Sequence, residues 1–102
     1  MGNFVGVAKV SEIESGTGKM VEVEGKEIAI FNNEGEFYAI DNECPHIGAP
    51  LCEGELEDGK VVCPWHGSEF DLKSGEALSP PADEDVSCYK LEIEGDVIKI
   101  EV

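Results

Sequence analysis

The chain has 102 residues, 41% of them hydrophobic, which suits one domain (1–102) with a modest core and leaves no length for a second, catalytic domain. Seven lysines, no arginine and 23 acidic residues give a net charge of −16 at pH 7, which argues against nucleic acid and anionic membranes as partners and for basic protein surfaces. No apolar run approaches a membrane span, and Met1 to Gly6 carries neither a basic nor a long apolar segment, so a soluble, cytoplasmic monomer is expected.

In chain order, short β-type runs alternate with turn signals. Phe4 to Val10 reads as a strand, and Val10 to Ser15 as at most one turn of helix. Lys19 to Val23 and Glu27 to Phe31 flank a hairpin turn at Glu24-Gly25-Lys26. Asn32-Asn33-Glu34-Gly35 turns the chain into Glu36 to Ile40. Glu57-Asp58-Gly59-Lys60 precedes a strand from Val61 to Cys63. Ser68 to Leu72 leads into a turn at Lys73-Ser74-Gly75. Ser87 to Ile93 and Val97 to Val102 form a last hairpin around Glu94-Gly95-Asp96. No segment sustains a helical period, so the expected fold is all-β, an antiparallel sandwich or barrel.

Two boxes carry the chemistry: Cys44-Pro45-His46-Ile47-Gly48 and Cys63-Pro64-Trp65-His66-Gly67-Ser68. They read C-x-H, sixteen intervening residues, then C-x2-H. In a reducing compartment cysteines serve metals more often than disulfides. Two thiolates and two imidazoles suit one [2Fe–2S] cluster, with both thiolates on one iron and both imidazoles on the other. They also suit a closed tetrahedral zinc site, but zinc fingers pair Cys with Cys and His with His, whereas each box here mixes the two. Cys52 and Cys88 lack this context and read as unligated thiols.

The paired boxes resemble those of the Rieske iron–sulfur family, and the likeness continues through Phe70-Asp71, Gly75 and Ser79-Pro80-Pro81-Ala82. It implies a Rieske-type sandwich whose cluster-binding subdomain, about residues 42–82, carries two loops: Asn42 to Leu51 and Cys63 to Ser68. It implies Cys44, His46, Cys63 and His66 as iron ligands. Gly48 and Gly67 would let backbone N–H groups approach the sulfides, and Ser68 would donate a hydroxyl hydrogen bond to one. Pro45 and Pro64 would stiffen the loops. Trp65 would cap the loops by packing, with a contact surface as a second role, Pro81 would belong to a proline loop over the cluster, and Ile47, Pro50 and Leu51 would either form an apolar rim around the imidazoles or fill the tip. The respiratory branch has an extra Cys at the positions of Ala49 and Trp65 and a Tyr at Phe70. Those departures place the chain nearer the soluble ferredoxins and imply a potential below the respiratory type.

The implied function is one-electron shuttling between a flavoprotein reductase and a terminal oxygenase or other acceptor, without catalysis on a substrate. The alternatives are the small subunit of an assimilatory nitrite reductase-like complex, or a redox or iron sensor. The six acidic residues between Asp41 and Asp58, with no lysine among them, suit a basic docking surface.

Overall fold

Ile28, Ala29, Ile30 and Phe31 are consecutive, and all four are fully buried. A strand with one wet face alternates apolar and polar residues; a continuous apolar run means burial on both faces. The computed structural model, which describes residues 3–44, 48–65, 67–78 and 84–101, shows why. Ala29 and Phe31 pack into one core cluster with Ile40, Leu51, Val61, Phe70 and Leu72. Ile28 and Ile30 pack into a second with Ile13, Val23, Ala39, Ile98 and Ile100. Burying a side chain of this size contributes about 1.5–3 kcal/mol.

Among the described residues the strands are β1 (Phe4–Lys9), β2 (Thr17–Val23), β3 (Lys26–Asn33), β4 (Glu36–Asp41), β5 (Glu55–Glu57), β6 (Lys60–Val62), β7 (Glu69–Asp71), β8 (Cys88–Tyr89), β9 (Leu91–Glu94) and β10 (Val97–Glu101). They form three antiparallel sheets, ordered β1-β10-β9, β2-β3-β4-β8 and β5-β6-β7. The four-stranded sheet lies in the middle, and β3 supplies each core cluster with alternate residues. The architecture is all-β, as expected. The β5-β6-β7 sheet carries the second Cys-His box in the connection between β6 and β7, and the first box follows β4.

Three hairpins turn on the same chemistry. Glu24-Gly25 has φ of 51° and 81°, Glu34-Gly35 55° and 92°, and Asp58-Gly59 46° and 79°. Two successive positive φ values match the right-handed twist of the flanking strands, and an acidic residue followed by glycine accepts them. The turn expected to begin at Asn32 starts later, because Asn32 and Asn33 pair with Phe37 and Glu36. Asn32 stays in the strand because its side chain is used: Nδ2 donates to Ile13 O (2.8 Å) and Oδ1 accepts from Gly35 N–H (2.8 Å). The helical turn is a three-residue 3-10 segment, Val10–Glu12, and Glu12 Oε1 accepts from the Lys9 N–H at 2.7 Å.

One larger expectation is corrected. Ser87 to Ile93 is not a single strand. Cys88 and Tyr89 pair with Ile40 and Ala39 in the middle sheet, whereas Leu91–Glu94 pairs with β10 in another. The chain changes sheets at Lys90. Apolar alternation runs unbroken through the crossing, so pattern alone hides it.

Candidate metal centre

Both boxes sit at strand ends. β4 runs out at Asp41, and Asn42 closes the neck of the first loop. Its N–H donates to Glu27 O (3.0 Å), its carbonyl accepts from Leu51 N–H (2.7 Å), and its Oδ1 accepts from Cys52 N–H (2.9 Å). Asn42 is buried, and each of these bonds contributes about 0.5–1.5 kcal/mol net. Sequence reading missed this residue; its one signal is a polar side chain two positions before Cys44.

The two loops share one hydrogen-bond pattern. Cys44 N–H donates to Ala49 O at 2.9 Å, and Gly48 N–H donates back to Cys44 O at 2.7 Å. Cys63 N–H donates to Ser68 O at 2.7 Å, and Gly67 N–H donates back to Cys63 O at 3.1 Å. The glycines have φ of +76° and +75°, a conformation that costs a residue with a Cβ. Each loop is therefore a five-residue step from Cys to a fully buried Ala49 or Ser68.

Cys44 and Cys63 are each at most 2% exposed and belong to the same core cluster, together with Phe70 and Leu51. None of the four cysteines forms a disulfide. Burial and the Glu53 carboxylate push the Cys52 thiol up. His46, His66, Pro45, Ile47, Ser79, Pro80, Pro81 and Ala82 lie outside the described residues. Among the described residues no cluster of three metal-binding side chains occurs.

This donor set fits a [2Fe–2S] cluster. Two buried thiols stand at matching places in two tight loops, each followed by a glycine in the left-handed region and a small buried residue, and thiolates are the donors that the iron of such a cluster takes. The packing role expected of Trp65 does not fit its surroundings: it is 62% exposed. Pro50 and Leu51 instead belong to the structural base of the first loop, with Pro50 bridged to Glu43 and Leu51 fully buried.

Charge around the centre is uneven. Beside the first loop, a hollow of about 480 Å³ is bordered by five acidic residues, Glu22, Glu27, Asp41, Glu43 and Asp85, and by one lysine, Lys26. Beside the second, Lys60 Nζ pairs with Glu69 Oε1 at 2.9 Å, and that hydrogen bond raises the Lys60 pKa. Asp41 also ties the loop stem to β8, accepting from Tyr89 Oη (2.6 Å) and Ser87 N–H (3.0 Å). The Tyr89 phenol is pushed up by burial first and by this bond second.

A family model described as "Rieske [2Fe-2S] domain" matches residues 3–90. The ferredoxin component of the naphthalene 1,2-dioxygenase/salicylate 5-hydroxylase systems of Ralstonia sp. is 40% identical over 92 residues, covering 90% of this chain and 88% of that protein. The ferredoxin of carbazole 1,9a-dioxygenase from Nocardioides aromaticivorans IC177 superposes with a TM-score of 0.91 at 27% identity, covering 96% of each chain. A Mycobacterium tuberculosis structure described as a "putative NADH-dependent nitrite reductase small subunit" also gives a TM-score of 0.91, over 100% of this chain and 96% of that one. At 21% identity that likeness shows the fold alone. The chain belongs to the Rieske [2Fe–2S] domain family.

Proposed function

We propose that this chain is a one-electron carrier holding one [2Fe–2S] cluster on Cys44, His46, Cys63 and His66, and that it works between a flavoprotein reductase and a terminal oxygenase. The observation that carries the reading is the pair of matched loops, each with a buried Cys at its base. The cluster supplies a one-electron couple whose potential imidazole ligation raises above that of all-thiolate centres. The chain's own part is to hold the ligands still. The two backbone bonds in each loop and the Asn42 clamp limit rearrangement when charge changes.

The ferredoxin components among its relatives serve multicomponent oxygenases, and the chain takes that role without a substrate site of its own. The −16 charge and the acidic hollow beside the first loop support a partner with a basic docking face. We assign the chain as a single domain, monomeric and cytoplasmic; among the described residues no helix is long and apolar enough to cross a membrane. The presence of all four ligand residues favours the carrier over a cluster-free reductase subunit.

The test is chemical. Anaerobically purified protein contains two iron and two acid-labile sulfide per chain, and its reduced form gives an EPR signal with average g below that of all-cysteine clusters. Replacing Cys44, His46, Cys63 or His66 abolishes the cluster, and Cys52→Ser or Cys88→Ser leaves it. A colourless protein carrying one zinc overturns the reading.

A further inference from the structure

Trp65 is exposed over 62% of its surface, more than any other large apolar residue among those described. An indole left in water forgoes a large burial energy, so its position needs a reason. It stands two residues after Cys63, in a loop held by the Cys63–Ser68 and Gly67–Cys63 backbone bonds. Residues 63–68 carry no acidic residue and no lysine, in a chain of net charge −16. An uncharged aromatic tip on a strongly acidic chain matches the anatomy of a transient interface, an apolar centre depleted of charge within a polar rim. Tryptophan is among the residues most enriched at binding hot spots, and a ring on a preorganised loop loses little entropy on docking.

We propose that Trp65 is the apolar anchor by which this chain docks on its electron acceptor, a protein whose electron-accepting group lies in an apolar contact ringed by lysine or arginine. This rests on the carrier reading and adds to it the contact and the partner's chemistry. In docking, the indole enters the partner's apolar centre while the chain's net negative charge favours its basic rim. One electron then leaves the carrier and reduces the acceptor; no bond forms and no proton is required.

The experiment uses cluster-loaded protein reduced with dithionite, with ferric cytochrome c, a basic haem protein, as the probe acceptor. Wild type, Trp65→Ala, Trp65→Phe and the control Ile93→Ala, altered at an exposed position on a different sheet, are compared by stopped flow at ionic strengths of about 0.01 M and 0.15 M. Trp65→Ala is expected to lower the second-order rate about tenfold at both ionic strengths, the behaviour of a lost hot spot rather than a lost charge. Trp65→Phe keeps most of the rate, Ile93→Ala keeps all of it, and voltammetric potential and EPR signal stay those of wild type throughout. A competent wild type with Trp65→Ala within twofold of its rate overturns the contact and leaves the carrier reading standing. A fall in rate matched by a shift in potential also overturns it, since Trp65 would then act on the cluster. A loaded wild type that cannot reduce cytochrome c overturns both.

Discussion

Tyr89 donates a 2.6 Å hydrogen bond from Oη to Asp41 Oδ1 across a separation of 48 residues. The other carboxylate oxygen, Oδ2, accepts from Ser87 N–H, and Asp41 N–H donates to Ser87 O at 2.9 Å. The last residue of β4 is thereby bolted to β8, three positions before Cys44. Tyr89→Phe keeps the ring and removes the bond. It is expected to lower stability by about 1.5–3 kcal/mol, the range for a hydrogen bond to a charged partner, read as a lower urea midpoint with unchanged slope. The pH dependence has a definite sign. The phenol is raised above its ordinary value in the folded state by burial and by Asp41, so the unfolded chain loses its proton first. The Tyr89 contribution is complete below about pH 10 and is lost as the pH rises beyond it. Tyr89→Phe therefore flattens the alkaline limb of stability against pH; an unchanged limb refutes the assignment.

Ser68 is fully buried at the end of the second loop, where Ala49 ends the first. A hydroxyl bond to a sulfide strengthens when the cluster gains an electron and so favours reduction. Ser68→Ala is expected to lower the potential by some tens of millivolts; a differential of about 1.4 kcal/mol corresponds to roughly 60 mV for one electron. Phe70 lies in the same core cluster as Cys44 and Cys63, so Phe70→Tyr places a hydroxyl near the thiolates and is expected to raise the potential by a similar amount. Protein-film voltammetry reads both. An unmoved potential in Ser68→Ala leaves tuning to the backbone N–H groups.

Gly75 separates two kinds of glycine. Its φ is +78°, its carbonyl accepts from Val86 N–H at 2.8 Å, and a Cβ there would lie 2.1 Å from Val86 O. Gly25 also has positive φ, but nothing stands within 4 Å of its Cβ position. Gly25→Ala is expected to cost about 1 kcal/mol of backbone strain, and Gly75→Ala more than about 3 kcal/mol, because two backbones must separate as well. Equal thermal shifts in the two variants are the contrary result.

Association with a basic partner is expected to weaken with salt. The Debye length shrinks from about 30 Å at 0.01 M to about 8 Å at 0.15 M, and electron-transfer rates fall with it. Rates flat over that range would mean that the −16 charge serves solubility and that docking is apolar.

The spacing of Cys44, His46, Cys63 and His66, with a glycine behind each histidine, was enough to name the family and the cofactor, because ligand chemistry and tight turns are local properties. The acidic-residue–glycine pairs at Glu24, Glu34 and Asp58 placed their hairpins for the same reason: both φ values are set within two residues. Other features are non-local and were invisible in the chain. The run Ile28 to Phe31 announces a strand but not that its two faces feed different cores. Ser87 to Ile93 reads as one strand because its pattern continues across Lys90, yet its halves pair with partners in different sheets. The Asn42 clamp and the Asp41–Tyr89 bolt depend on which donors, a backbone N–H in one and a phenol in the other, the folded chain brings within 3 Å. Trp65 is the sharpest case. Its residue type argues for burial, and only the path of the loop between β6 and β7 decides that it faces solvent, since exposure is a property of what surrounds a side chain rather than of the side chain itself.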